Sequence, residues 1–146
     1  MTSAGQIIVD KTIADRAAGF INEAVDNGWK GKIRYSFRTR EQQQTEWDAS
    51  GHDRQKAAEP GTSEHEGGFA FDLRFCNRPK SEQDAVLRAA KDFGFKQDVP
   101  GEPWHFSTDP SHDQLHDAIR IAEDAVDLLG GASQLPSCSA FVQLAN

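Results

Sequence analysis

The sequence predicts an α+β fold, a small antiparallel sheet with helices packed on it. Three observations predict it. Short strand-like segments lie at residues 32–37, 68–75 and 103–107. Longer segments of helical period separate and flank them. The connections are hairpin-like rather than the crossovers of a parallel sheet. The 146 residues suffice for one domain with its own core, and no repeat or low-complexity segment divides them, so residues 1–146 read as a single domain.

Residues 10–27 form the first predicted helix. Asp10 can cap it, and Ile13, Ala17, Phe20, Ile21, Ala24 and Val25 recur on one face. Asn27-Gly28 stops it. A strand at 32–37 and a Gln- and Glu-rich helix at 39–47 follow. Residues 48–62 are polar and aperiodic, with Gly51, Pro60 and Gly61, and read as a long loop of the kind that often carries function. In 68–75, Phe69, Phe71, Leu73 and Phe75 point one way and Ala70, Asp72 and Arg74 the other. Ser81 is expected to cap a helix through Phe93, with Asp84 completing a capping box and Gly94 ending it. After the strand at 103–107, Ser111 caps a last helix with Leu115, Ile119, Ala122, Val126 and Leu129 on one face, stopped by Gly130-Gly131. The tail from Ala132 has no clear place in this scheme.

Hydrophobic residues make up 37% and charged residues 27%, the balance of a soluble globular chain, and the net charge is −7. That charge argues against a nucleic acid or an anionic membrane as partner. No apolar run reaches the ~20 residues of a membrane span. The opening residues lack a basic segment followed by an apolar one, so no signal peptide is expected. Cys76 and Cys138 have no CxxC spacing and read as two isolated thiols.

The densest chemical signal is Ser63-Glu64-His65-Glu66-Gly67-Gly68-Phe69-Ala70-Phe71-Asp72. A histidine enters a strand, and an aspartate follows on the face opposite the phenylalanines. A carboxylate there is costly to bury unless paired or bound to a metal. Imidazole and carboxylate are both ordinary zinc ligands, and Gly67-Gly68 lets the backbone turn tightly between them. Glu102-Pro103-Trp104-His105-Phe106 supplies a third ligand in His105, with Trp104 and Phe106 turned to the core. His65, Asp72 and His105 would leave a fourth zinc position open, as in catalytic rather than structural sites. Glu102 is the candidate base. Strict alternation puts Glu102 and His105 on opposite faces, so the chain must bend at Pro103 or Glu102 must precede the strand.

The pattern SxHxxGxAxD, here Ser63, His65, Gly68, Ala70 and Asp72, followed by ExxH, here Glu102 and His105, resembles the LAS-type zinc peptidases. The resemblance is to D-alanyl-D-alanine carboxypeptidases of the vancomycin-resistance type and related phage endolysins. It covers about residues 33–107. It implies a hedgehog/D-Ala-D-Ala peptidase-like fold, Zn²⁺ on His65, Asp72 and His105, and Glu102 as catalytic base. Tyr35-Ser36-Phe37-Arg38-Thr39, with Gln43 beyond, resembles the family's YRS…Q segment. That implies a catalytic and substrate-binding role for Arg38, whose planar fork suits a carboxylate or a developing oxyanion. Gln43, Ser63 and Trp104 complete the implied substrate-binding set. Phe37 stands where the family has tyrosine, and Gly67 where it has a polar residue.

The implied activity is hydrolysis of peptidoglycan peptide bonds, in a stem peptide or a crosslink, by a monomer. The protein would be made in the cytoplasm and act on the wall after phage-type release or after loss of a leader. A cytoplasmic D-Ala-D-Ala dipeptidase and a zinc-stabilised binding module without turnover are the alternatives. The plain alternative for Arg38 is a surface ion pair with Glu41 or Glu46, and for Gln43 an ordinary helix-surface position. His112 and His116 have HExxH-like spacing, but Asp113 replaces the glutamate and they read as a solvated helix start.

Overall fold

The computed structural model describes residues 6–129 and 141–145. Strand β1 (Gln6–Asp10) leads through a 3₁₀ turn (Lys11–Ile13) into α1 (Ala14–Asp26). There follow β2 (Ile33–Tyr35), α2 (Arg40–Ala49), α3 (Glu64–Gly67), β3 (Ala70–Leu73), α4 (Lys80–Phe93), β4 (His105–Ser107), α5 (His112–Leu129) and β5 (Phe141–Ala145). The architecture is α+β. A three-stranded antiparallel sheet runs in the order β2-β3-β4, and β1 pairs antiparallel with β5 in a separate ribbon. In the central sheet Ala70, Phe71 and Asp72 face Ser107, Phe106 and His105.

The core follows from the alternation in β3. Phe71 and Leu73 are fully buried under α1, α4 and the aromatic side chains Phe20, Phe95 and Phe106. The Phe20 ring lies 5.0–5.6 Å from those of Phe71, Phe95 and Phe106. Burying each such side chain stabilises the fold by about 1.5–3 kcal/mol. Trp29 closes one end, its indole N–H donating to Arg74 O at 3.0 Å. The opposite face of β3 is also buried, and Asp72 lies on it.

Several elements differ from expectation. His65 does not enter a strand but sits on α3, a single helical turn. Ser63 and Glu66 close that turn's capping box, and Gly68, at φ 76°, ends it in the left-handed region. This shortens the strand expected at 68–75 to four residues. The Ser81–Asp84 box does not form either. Helix α4 starts at Lys80 behind Pro79, whose fixed φ suits a helix start and whose carbonyl accepts from Glu82 and Gln83 N–H. Asp84 instead pairs with Lys80 at 2.9 Å. Ser111 does cap α5, exchanging hydrogen bonds with Gln114. The side chains of Val126 and Leu129, the Gly130-Gly131 stop and Cys138 fall outside the described residues. Cys76 is an exposed free thiol. The tail contributes β5, in register from Gln6↔Ala145 to Asp10↔Phe141. Among the described residues no helix is long and apolar enough to cross a membrane.

Buried Glu82 ties α4 to the turn after α1. It accepts from Arg78 at 2.9 and 3.1 Å and from Lys30 N–H at 2.6 Å. The Arg78 bonds, then the Lys30 bond, hold its carboxyl below the usual glutamate range. A pKa lowered on folding stabilises above the unfolded value, and this stabilisation disappears as pH falls through the folded one. Glu82→Gln is therefore expected to lower the melting temperature at neutral pH. In acid, where the wild-type carboxyl is protonated as well, the gap between the two proteins should close. Thermal scans of both proteins across pH check this.

Candidate metal centre

Short elements converge on one point. The register of β3 with β4 puts Asp72 directly opposite His105, and α3 brings His65 to the same carboxylate. Donor atoms of His65, Asp72 and His105 lie within 4.8 Å of one another, and all three residues are buried. Asp72 Oδ1 stands 3.2 Å from His65 Nε2 and 3.2 Å from His105 Nδ1. The imidazole rings meet edge to face, with centroids 5.0 Å apart.

The second nitrogen of each imidazole is already committed. His65 Nδ1 is 2.7 Å from Ser36 O, which can only accept, so that nitrogen carries the proton and Nε2 offers its lone pair inward. His105 Nε2 is 2.9 Å from Glu64 Oε1 and 3.4 Å from Asp98, leaving Nδ1 for the centre. This is the arrangement by which proteins orient metal-binding histidines.

The electrostatics also favour a cation. Glu64, Asp72, Asp98 and Glu102 all lie within 4.0 Å of His105. Burial disfavours a charge on His105. The carboxylates of Asp72, Asp98 and Glu64 around it nevertheless push its pKa up to about 11. Burial likewise opposes ionisation of Asp72, but the adjoining imidazoles of His105 and His65 hold it well below the usual carboxylate range. Burial raises the Glu102 carboxyl, and the nearby charge of Asp72 adds to that rise. Two imidazole nitrogens, a carboxylate and surplus negative charge fit a divalent ion such as zinc.

The centre opens into a cavity of about 530 Å³, whose walls include Arg38, Gln43, Ser63, Glu102 and Trp104. Glu102 precedes β4: its carbonyl accepts from His105 N–H at 3.1 Å, a turn that removes the conflict of faces. Its carboxylate then lies 4.0 Å from His105 Nδ1. Arg38 is fastened by its own N–H to His65 O at 3.1 Å and donates from Nη1 to Gln43 Oε1 at 2.9 Å. It has no ion pair with Glu41 or Glu46 among the described residues. Gln43 is 1% exposed rather than on the helix surface, and donates to Ala58 O at 2.8 Å. Ser63 is buried, its Oγ accepting from His65 N–H at 3.2 Å. Trp104 both lines the cavity and packs on the core. The 50–62 loop supplies one wall through Arg54 and Lys56.

Gly67, one of the two departures from the family pattern, has a local cause. A Cβ there would stand 2.7 Å from Leu115 Cδ1, so α5 packs where a side chain would project. His112 and His116 are exposed at the start of α5, as a solvated pair. His52 stacks on Trp47 and bonds Asp48 at 2.8 Å, away from the centre.

Two residues at the centre were not anticipated, Glu64 and Asp98. Glu64 was visible as the neighbour of His65, but its partners His105 and Ser107 lie 41 and 43 residues on. Asp98 arrives because Lys96 and Ser107 pair through two hydrogen bonds, at 2.7 and 2.9 Å, folding the intervening loop back on itself.

Comparison with known proteins gives a consistent result. DacB from Streptococcus pneumoniae D39 superposes with a TM-score of 0.53 at 24% identity, over 84% of this chain and 77% of that one. The LdcB LD-carboxypeptidase gives 0.54 at 27% identity, over 80% and 71%. VanYB, solved in complex with D-alanine-D-alanine, gives 0.50 at 24% identity, over 80% and 77%. A comparison with curated proteins returned no match. Residues 6–110 match the model of the family VanY, D-alanyl-D-alanine carboxypeptidase, and the chain belongs to that family.

Proposed function

We propose that this chain is a zinc-dependent carboxypeptidase that removes the terminal D-alanine from peptidoglycan stem peptides. The observation that carries the reading is the convergence of His65 Nε2, Asp72 and His105 Nδ1 at a cavity walled by Arg38 and Glu102. His65, Asp72 and His105 would hold the ion. Zinc bound there would polarise the scissile carbonyl and acidify a water beside it. Glu102 takes a proton from the attacking water and returns it to the departing amine. Its raised carboxyl pKa brings it nearer the working pH of such a shuttle. Arg38 receives the substrate's terminal carboxylate or its developing oxyanion. Gln43 acts through Arg38 by holding the guanidinium, while Ser63 and Trp104 shape the wall beside it. The chain would act as a monomer on the cell wall, reached after release or export.

Arg38→Lys is expected to lower kcat/KM by at least about tenfold with zinc content unchanged, because an ammonium cannot reproduce a two-pronged contact. Steady-state kinetics with metal analysis checks this, and wild-type kinetics would make Arg38 structural.

A second reading draws on the likeness to LdcB: an L,D-carboxypeptidase acting on a stem already shortened by one residue. Mass spectrometry of defined stem peptides after incubation separates the readings. Release of D-alanine from a D-Ala-D-Ala terminus supports the first, and release only from the shortened stem supports the second. Cutting between L-alanine and D-glutamate would indicate an endolysin-type endopeptidase, and turnover of free D-Ala-D-Ala alone a dipeptidase. No cleavage of any of them would leave a binding module and refute the proposal.

A further inference from the structure

Glu64 does something more specific than begin a helix. Its Oε1 lies 2.9 Å from His105 Nε2, and its Oε2 accepts from Ser107 Oγ at 2.8 Å. Ser107 Oγ in turn accepts from Asp109 N–H at 2.9 Å, so the far oxygen of the carboxylate is itself anchored. The residue next to Glu64 is His65. One helical turn therefore carries a donor of the centre and also the acceptor that grips the other imidazole.

The need for such a grip is plain from the surroundings. His105 has carboxylates at both ring nitrogens: Asp72 at Nδ1, Glu64 and Asp98 at Nε2. A neutral imidazole bears one proton, and only the tautomer with that proton on Nε2 presents a lone pair at Nδ1 toward His65 and Asp72. Asp98 is the weaker of the two acceptors at Nε2. It stands at 3.4 Å from Nε2, against 2.9 Å for Glu64.

We propose that Glu64 is a positioning residue that fixes the tautomer and ring orientation of His105, directing Nδ1 into the metal centre. The inference rests on the zinc reading above and assigns Glu64 no contact with substrate. Outer hydrogen-bond partners of this kind are worth about 10–100-fold in metal affinity.

The test is zinc titration of the full chain against a competing chelator, paired with ¹⁵N NMR of the histidine side chains in the zinc-loaded protein. Wild type should show a slowly exchanging Nε2–H for His105. Glu64→Ala should bind zinc about 10–100-fold more weakly and lose that resonance. Glu64→Gln keeps an oxygen at the same reach and should stay within about threefold of wild type, a rescue that a purely structural role for the charge would not give. Glu64→Asp withdraws the acceptor by a methylene and serves if the alanine variant fails to fold, with a loss of at least about fivefold expected. Wild-type affinity and an unchanged Nε2–H in the alanine and aspartate variants would overturn the proposal. Absence of zinc binding by wild type in the same titration would instead bring down the zinc reading, and this inference with it.

Discussion

Glu102→Gln is expected to lower kcat/KM by about 10²–10⁴-fold while zinc content stays at the wild-type level. The expectation comes from position and charge together. Glu102 sits on the turn before β4, its carbonyl bonded to His105 N–H, so the backbone that carries it is set by the same strand that carries His105. Its carboxylate is 4.0 Å from His105 Nδ1, close to the centre without being one of the three converging donors. An amide of the same shape keeps the wall of the cavity but cannot accept the proton of an attacking water. Stopped assays of D-alanine release, run beside metal analysis, check both halves. Full activity in the variant would remove Glu102 from the mechanism, and loss of zinc would make it a ligand instead.

Asp72→Ala should weaken zinc binding by more than the ~10–100-fold that an outer partner is worth, and abolish hydrolysis with it. Asp72 is the hub of the centre: one oxygen stands 3.2 Å from a nitrogen of each imidazole. It is also the only carboxylate carried on the central strand, and it is buried. Without it two neutral nitrogens remain, which hold a divalent ion far less firmly than a set including an anion. The variant should still fold, because Phe71 and Leu73 on the other face of β3 keep the aromatic core. Zinc stoichiometry after dialysis, with circular dichroism as the folding control, measures this. Wild-type stoichiometry in a folded variant would strike Asp72 from the ligand set.

What the sequence made legible was governed by periodicity and residue type. Alternation in β3 separates Asp72 from its aromatic neighbours, and the antiparallel register then sets it against His105. Helices α1 and α5 were readable from their apolar faces, and Gly94 from its place after α4, where it takes φ 78°. The turn α3 was written in the Ser63–Glu66 capping box, but a run of four residues is too short to show a period. The pairing of β1 with β5 joins the two ends of the chain, a contact that local pattern does not encode. Gln43 was legible only through the resemblance, because the largely polar sequence of α2 left a plain helix-surface position equally open. Its burial is imposed from outside, by Arg38 and the carbonyl of Ala58. Glu64 and Asp98 escaped for a related reason. Acidic residues in loops and at helix starts are common, and only the approach of β4 gives these two a partner.

The most direct measurement is anomalous diffraction at the zinc edge from crystals of the zinc-loaded protein. A single peak at about 2.0–2.2 Å from His65 Nε2, an Asp72 oxygen and His105 Nδ1 is the expected result. A peak instead between Glu64, Asp98 and His105 Nε2, or none at either place, would contradict it.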